Sequence, residues 1–254
     1  TSPGFIKIGD KELRDPKSFG LLSIEDILAK SSNVGTVRVA LKMKPVKMYR
    51  YYELLGFGKT PDLPLLGLAK GKLSPWQGWR DIDQATISYG YGVSVTLLQL
   101  ARAYSVFARD GDLISLRISK EDRFGQSINV FSSEVVSDVR AMLERASSKI
   151  GTGSKAKVSG FIVAGKTGTS KKIKKGIYSS NRYIASYVGF APSNDPRFIV
   201  AIMVDEPQGK ITGGKVAAPI FSKIATNALR RLQMSPDPKD RIFPQTVKFV
   251  EKNF

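Results

Sequence analysis

The sequence predicts an α+β fold in which an antiparallel sheet is flanked by helices. Apolar residues recur at helical spacing over much of residues 23–147. Three runs rich in β-branched and aromatic residues follow, and turn-forming residues separate them, as is typical of neighbouring antiparallel strands. Helical spacing returns from residue 213. Because sheets average five or six strands, three strands suggest that part of the sheet lies outside this chain.

Several helix boundaries are marked by residues that favour helix ends. Ser23 is placed to cap a helix that begins at Ile24, and acidic residues follow in the first turn. Pro45 suits the first turn of another helix, and Gly56 suits the position after its C-terminus. The Gly- and Pro-rich residues 58–80 predict a long excursion before the next helix.

The clearest helix lies in the segment TLLQLARAYSVFARDG. Thr96 and Gln99 match the capping-box pattern, and Gly111 follows the helix end. A further amphipathic helix is predicted over residues 132–148. The predicted apolar stripe of the first of these helices consists of Leu97, Leu100, Ala101, Tyr104 and Phe107.

The three strands are predicted over residues 161–169, 183–192 and 198–207. We expect residues 1–235 to form the C-terminal part of a single domain. Residues 236–254 contain three prolines and are expected to form a surface tail. The last helix is expected to bury Val216, Ile220, Ile224 and Leu229.

Composition excludes several kinds of chemistry. The 254 residues include no Cys and no His, so disulfides, thiol nucleophiles, imidazole bases and histidine-containing zinc sites are excluded. Any proton carrier must be Lys, Asp, Glu, Tyr or Ser, and no cofactor or metal is expected. The formal charge of +18 favours an anionic partner. Nucleic acid is not expected, because the basic residues are scattered and no nucleic-acid-binding motif is present.

The stretch GFIVAGKT, from Gly160 to Thr167, matches the phosphate-binding loop of nucleotide hydrolases. In such a loop, backbone N–H groups converge on phosphate oxygens and a helix begins at the lysine. Three of the four variable residues here are strong strand formers, and no helical spacing follows Thr167. The stretch therefore favours a strand over a nucleotide site.

Lys166, Thr167, Gly168 and Thr169 also form KTGT, the third signature of penicillin-recognising serine enzymes. In a strand, Lys166 and Gly168 point to one face, while Thr167 and Thr169 point to the other face or to the strand edge. Gly168 would let a ligand backbone approach closely, and the lysine and hydroxyls would bind a carboxylate. An exposed strand edge can also pair with a peptide.

The second signature, Ser-x-Asn, has two candidates. Ser31–Ser32–Asn33 lies between two predicted helices, where a short turn can hold Ser31 and Asn33 over a cleft. The alternative for this copy is a helix-capping cluster without a catalytic role. The other copy, Ser179–Ser180–Asn181, follows KTGT closely and is expected in a loop between strands.

Longer motifs extend these signatures. They are LAKSSNVG, WRDIDQATISYGYGVSVTLLQLARAYSVFARDG, GFIVAGKTGTSKK, RYIASYVGFAPSNDPRFIVAIMVDEPQ and GGKVAAPIF. From about Leu22 to Leu232 the chain resembles the transpeptidase domain of class B penicillin-binding proteins, most closely the division-specific septal type. The resemblance implies a penicillin-binding-protein/β-lactamase-like transpeptidase fold, here incomplete at its N-terminal side. Leu97 replaces a usual proline and Arg109–Asp110 replaces a common Asn-Gly, both outside the expected chemistry.

The family's first signature, Ser-x-x-Lys, carries the nucleophilic serine and should precede Ser-x-Asn by several dozen residues. The 30 residues before Ser31 do not contain it. The single literal match, from Ser154 to Lys157, lies on the wrong side of Ser-x-Asn and is interpreted as a loop. We therefore expect the nucleophile, the first strands of the sheet and a membrane-spanning segment upstream of this chain.

The resemblance implies a peptidoglycan D,D-transpeptidase of cell division, which cross-links stem peptides through an acyl-serine intermediate. The missing serine would attack D-Ala-D-Ala and would also be acylated by β-lactams. Ser31 would relay a proton, Asn33 would hold the substrate amide, and Lys166 would help keep the Ser-x-x-Lys lysine neutral. Thr167 and Thr169 would receive the terminal carboxylate together with Lys166. The Thr169 N–H would contribute to the oxyanion hole.

Several points stay open. Tyr91 either lines the cleft or is a packed aromatic residue, and the lysines of SKKIKKG are expected in a hairpin loop. A D,D-carboxypeptidase, a β-lactamase-like serine hydrolase and a catalytically inert fragment are the alternative functions. The resemblance places the catalytic domain on the periplasmic side of the bacterial inner membrane, with membrane contact only through an upstream anchor. Division-machinery proteins are the expected partners.

Overall fold

The computed structural model describes residues 1–123, 125–174 and 176–236. Most of the predicted surface tail, residues 237–254, lies outside this part of the chain. No helix within the described ranges has both the length and the hydropathy needed to cross a membrane. The helices are α1 (Ile24–Lys30), α2 (Asn33–Ala40), α3 (Pro45–Leu54), α4 (Asp81–Ser88), α5 (Leu97–Ala108), α6 (Ser133–Ser147) and α7 (Gly213–Arg231). The strands are β1 (Phe5–Ile8), β2 (Lys11–Arg14), β3 (Asp112–Leu113), β4 (Ile128–Asn129), β5 (Ala164–Lys174), β6 (Ile177–Ala191) and β7 (Phe198–Asp205).

The central sheet has the strand order β5-β6-β7 and is antiparallel throughout. The α+β prediction with an antiparallel sheet is thereby confirmed. The first strand was predicted from Phe161, but β5 begins at Ala164. Gly160 adopts a φ of +80°, and Phe161 forms only an isolated bridge with Val158, so the chain turns before it enters the sheet. The β1–β2 and β3–β4 hairpins were not predicted.

Helices cover both faces of the sheet and create a three-layer arrangement. Phe221 of α7 packs against Tyr187 and Ile202 on one face. Leu143 of α6 packs with Phe190 on the opposite face, next to residues of α5. Successive strand residues point to opposite faces, so these two cores fix the direction in which each side chain of β5 points.

Helix α7 buries Leu229 as predicted, but the rest of its buried stripe differs from the predicted one. Ile220 and Ile224 are 39% and 43% exposed, so their predicted burial is wrong. The buried stripe has a spacing of four residues and consists mainly of small side chains, which let the helix axis approach the sheet closely. It comprises Gly213, Ala217, Phe221, Ala225 and Leu229.

Helix α5 has the predicted capping box between Thr96 and Gln99, but Leu97 is 38% exposed and lies outside the buried stripe. Buried positions instead include Gln99. Its side-chain amide donates hydrogen bonds to the carbonyl oxygens of Gly56, Lys59 and Lys70. This amide therefore fixes the long Gly- and Pro-rich excursion to the helix, which apolar spacing alone could not indicate.

The lysine-rich stretch belongs to β5 rather than to a hairpin loop. Lys171 and Lys172 lie in the strand, and Lys175 falls outside the described residues. The Lys172 ammonium donates to Asp205 at 2.9 Å and to Glu206 at 2.8 Å, which ties β5 to the end of β7. Both acids raise the pKa of Lys172, with the Glu206 hydrogen bond as the larger cause.

Candidate active-site cleft

A cleft of about 600 Å³ opens between the α1–α2 turn, the α4–α5 connection and strand β5. Positions 31 and 166 are 135 residues apart in the chain, yet both side chains reach this cleft. The structure therefore brings together every site residue that the sequence suggested. These residues are Ser31, Asn33, Tyr91, Lys166, Thr167, Gly168 and Thr169.

The Ser31–Asn33 turn joins two helices without an intervening loop. Ser32 caps α2, with its hydroxyl accepting from the Gly35 N–H at 2.9 Å. Ser31 follows the last residue of α1 and has a left-handed φ of 56°, a conformation uncommon for a residue with a side chain. Ser32 thus uses its side chain as a cap, whereas Ser31 ends α1 through its backbone N–H and its hydroxyl is directed toward β5.

Lys166 lies opposite this turn. Its Nζ donates to Ser31 Oγ at 2.9 Å and to the carbonyl oxygen of Thr167 at 3.2 Å. Burial lowers the pKa of Lys166 to about 8, because an ammonium ion is poorly solvated inside the protein. Lys166 as a whole is half-buried and lines the cleft, so its ammonium can meet an anionic ligand there.

The two threonine side chains of KTGT point toward the α7 face of the sheet. Thr169 Oγ1 accepts from the N–H of Gly213, the first residue of α7, at 3.0 Å. Since that oxygen already accepts a bond, its own proton can be donated to a ligand. The N-terminus of a 19-residue helix also adds a positive dipole end beside the strand. Both effects favour a negatively charged group at this position.

Thr152 is a cleft neighbour that the sequence did not reveal. Its hydroxyl lies 2.6 Å from that of Thr167, and its N–H donates to the Ala29 carbonyl oxygen at 3.1 Å. The loop before β5 therefore connects the end of α1 with the KTGT strand. No recognised motif includes Thr152, so only the three-dimensional arrangement could identify it.

Glycine at position 168 leaves room for a side chain of the neighbouring strand. A Cβ atom there would overlap the Ser186 hydroxyl, which would have to rotate away. Gly213 is more strictly required, because a Cβ atom would overlap the backbone carbonyl oxygens of Gly168 and Ser186. Two glycines thus let α7 and β6 press directly against the KTGT backbone, which fixes that backbone at the edge of the cleft.

Tyr91 is both a packed residue and a residue that lines the cleft. Its ring meets that of Tyr178 at 4.8 Å, and its hydroxyl accepts from the Lys171 N–H at 3.3 Å. The Tyr178 hydroxyl accepts from the Gly92 N–H at 3.1 Å. The two tyrosines therefore link the segment between α4 and α5 to the β5–β6 hairpin.

The other sequence matches lie elsewhere. Ser154 begins a short 3₁₀ helix, Ser154–Ala156, which packs against α7. Ser179–Ser180–Asn181 lies near the start of β6, in a strand and not in the predicted loop. Neither match belongs to the described residues that line the cleft. Strand β5 continues without a helix beyond Lys166, so the backbone also lacks the geometry of a phosphate-binding loop.

The arrangement of charge and hydroxyl groups suits recognition of a carboxylate at a strand edge. Lys166 supplies the positive charge, and Thr167 and Thr169 supply hydroxyl groups beside it. A hydroxyl on the opposite wall, that of Ser31, is hydrogen-bonded to the same lysine. The cleft can therefore orient an anionic ligand and exchange a proton near it.

Comparisons with known sequences and structures all indicate the same family. A family model described as the penicillin-binding protein transpeptidase domain matches residues 3–226. The chain is 39% identical over 231 residues to the probable peptidoglycan D,D-transpeptidase PenA of Neisseria gonorrhoeae. It is 38% identical over 232 residues to the peptidoglycan D,D-transpeptidase FtsI of Escherichia coli K12. Each alignment covers 91% of this chain and 40% of the relative, so the chain spans well under half of these proteins.

A solved structure shares the fold as well as the sequence. The apo transpeptidase domain of Burkholderia pseudomallei penicillin-binding protein 3 is 41% identical, with a TM-score of 0.86. That comparison covers 92% of this chain and 72% of the other. On sequence and fold together, the chain belongs to the penicillin-binding protein transpeptidase domain family.

Proposed function

We propose that this chain forms part of a peptidoglycan D,D-transpeptidase of cell division. In this reaction a serine attacks the penultimate D-Ala carbonyl of a stem peptide, and the C-N bond to the terminal D-Ala breaks. An amine from a neighbouring stem then attacks the acyl-serine, which forms the cross-link and releases the serine. The names of the PenA and FtsI relatives support this class of reaction.

The observation that carries the proposal is the contact between Lys166 and Ser31 across the cleft, at 2.9 Å. It joins the KTGT strand to the Ser-x-Asn turn, the two signatures that the family uses in one site. Thr167 and Thr169 line the cleft beside this contact, and their hydroxyls would receive the substrate carboxylate. Asn33 lines the same cleft as Ser31 and would hold the substrate amide.

We further propose that residues 1–235 are the C-terminal part of one transpeptidase domain and that the nucleophilic serine belongs to another segment of the full-length protein. The literal Ser-x-x-Lys match at Ser154 is unsuited to the role, because it packs against α7 outside the cleft lining. The proton relay would run through Ser31. Lys166 would favour the neutral form of the Ser-x-x-Lys lysine by charge repulsion.

The same site would accept β-lactams, since their carboxylate and strained amide resemble the terminus of the stem peptide. The active domain would lie on the periplasmic side of the bacterial inner membrane, held by an anchor outside this chain. Division proteins would be the macromolecular partners. These assignments rest on the family and on the anion-binding character of the cleft.

Acylation by a fluorescent penicillin tests the proposal. We expect the full-length protein to become covalently labelled, and mass spectrometry to locate the label on a serine outside residues 1–254. Lys166→Ala should greatly reduce the labelling rate. Lys157→Ala is the matched control, because Lys157 lies in the unused Ser-x-x-Lys match and is exposed.

The proposal fails if the full-length parent protein and its Lys157→Ala variant are both folded but neither becomes labelled. Label on a serine within this chain would overturn the assignment of the nucleophile to another segment. Equal labelling rates for Lys166→Ala and Lys157→Ala would remove Lys166 from the site.

A further inference from the structure

The turn that presents Ser31 rests on a buried carboxylate outside all three signatures. Asp15 follows β2 and is only 8% exposed. Its Oδ2 accepts from the Ser32 hydroxyl at 2.5 Å, and its Oδ1 accepts from the Val34 N–H at 3.0 Å. One carboxylate thus binds both the Ser32 hydroxyl and the Val34 N–H, in the segment that reverses the chain between α1 and α2.

Burial of the Asp15 carboxylate costs free energy that other interactions must offset. A buried carboxylate loses hydration, and the loss is offset only by well-formed hydrogen bonds. Here both donors come from the first residues of α2, where unpaired N–H groups and the helix dipole favour a negative charge. Ser32 is itself fully buried, so water cannot replace Asp15 as its acceptor without opening the core.

The hydrogen bonds around Ser32 form a chain that fixes the turn. Ser32 Oγ accepts from the Gly35 N–H, so its single proton is committed to Asp15. The hairpin that carries Asp15 is held in turn by the Asp15 N–H, which donates to the Gly4 carbonyl oxygen at 2.9 Å. Asn33 reaches the same hairpin, because its Nδ2 donates to the Arg14 carbonyl oxygen at 3.4 Å.

The left-handed conformation of Ser31 explains what this support accomplishes. A residue with a side chain in this region is strained, and the conformation persists only when its surroundings determine it. Because Ser32 and Val34 are clamped, the preceding residue has little freedom, and its hydroxyl stays 2.9 Å from Lys166.

We propose that Asp15 is a positioning residue, which acts through the Ser32 hydroxyl and the Val34 N–H to hold Ser31 and Asn33 in catalytic register with Lys166. Asp15 itself lies outside the described cleft lining and touches no reacting atom. This inference rests on the proposed transpeptidase function.

The test compares Asp15→Asn with Asp10→Asn in the full-length protein. Asparagine keeps the shape of aspartate but can accept at only one of the two positions, so either the Ser32 hydroxyl or the Val34 N–H loses its acceptor. Asp10→Asn removes the same charge from the exposed turn of the same hairpin. The measurement is stopped-flow acylation by a fluorescent penicillin, which separates the acylation rate constant from the dissociation constant of the non-covalent complex.

We expect Asp15→Asn to slow acylation by roughly 10-fold to 100-fold, as displacement of a catalytic group by about 1 Å does. The dissociation constant should change little, and the final labelled fraction should remain near one. The effect should be much smaller when Ser31 is already alanine, because most of it acts through the Ser31 hydroxyl. If Asp15→Asn does not accumulate, Ser32→Ala removes the Ser32–Asp15 hydrogen bond together with the cap to Gly35, and it should also slow acylation.

Several results would overturn the role. One is an acylation rate constant equal to that of Asp10→Asn. Another is a lower labelled fraction with an unchanged rate constant, which would indicate a purely structural role. A full additional loss in the Ser31→Ala background would show that Asp15 acts elsewhere. An unlabelled parent protein would instead contradict the proposed function, so the two failures remain distinguishable.

Discussion

At the scale of single residues, the cleft depends on one lysine whose surroundings set both its charge and its position. Lys166 is anchored by Ser31 and by the Thr167 carbonyl oxygen, and both bonds use protons of the ammonium group. Burial opposes that charge. A cation held in this way gains when a carboxylate arrives, since the ligand restores part of the lost solvation.

The pKa of Lys166 can be measured directly. We expect NMR titration to give a midpoint near pH 8, well below the ordinary value of 10.5. Lys166→Arg identifies the resonance by removing it. Between pH 8 and 10.5 the unfolded lysine would hold a proton that the folded one has lost, so this group makes stability rise with pH over that window. A midpoint above 10 would show that burial does not govern this lysine.

The Thr169 hydroxyl gives a second prediction. Thr169→Val keeps the shape of the side chain but removes the proposed donor to the ligand carboxylate. A hydrogen bond to a charged group contributes about 1.5–3 kcal/mol, so carboxylate-ligand affinity should fall by roughly tenfold or more. Thr169→Ser retains the hydroxyl and should stay close to the parent. Equal affinities for the valine and serine variants, measured by calorimetry on the full-length protein, would rule out this donor.

At the scale of elements, the cleft is built by helix α7 and strand β6 pressing on the backbone of β5. Gly213 lies where the helix begins, and its N–H reaches Thr169 while its missing side chain admits two carbonyl oxygens. The position of the helix and the direction of the threonine hydroxyl are therefore coupled through one residue.

Gly213→Ala should destabilise the fold, because the new methyl group would overlap backbone atoms that cannot rotate away. Overpacking of this kind costs about 1–3 kcal/mol. Gly78→Ala is the control, since nothing lies within 4 Å of its added Cβ. Urea unfolding should separate the two variants clearly. Similar unfolding midpoints would mean that α7 can shift away from the sheet without cost.

Local patterns predicted most elements because their signals are short-range. Ser23 and Thr96 cap helices as their sequences indicated, and the three central strands follow their β-branched runs. The buried stripe of α7 was mispredicted, since hydrophobic spacing favours large residues such as Ile224 over small ones. The distance between a helix and a sheet depends on tertiary packing. The close approach of α7 requires small residues such as alanine and glycine on its buried face.

At the scale of the whole molecule, the fold places two distant signatures on opposite walls of one cleft. The sequence contains two matches to Ser-x-Asn, which the motif alone does not distinguish. The fold brings Ser31 to the cleft, whereas Ser179 lies in β6. Asp15 and Thr152 could not be predicted, because their importance comes from contacts with residues in other segments. The formal charge of +18 favours an anionic partner for the molecule as a whole.

The most direct test of the central claim is product analysis of the full-length protein acting on uncross-linked peptidoglycan with pentapeptide stems. We predict cross-linked muropeptide dimers, with one D-Ala released for each cross-link, and loss of both products in Lys166→Ala. Lys157→Ala should behave like the parent protein. Release of D-Ala with only monomeric tetrapeptides as the other product would contradict transpeptidation and indicate a carboxypeptidase.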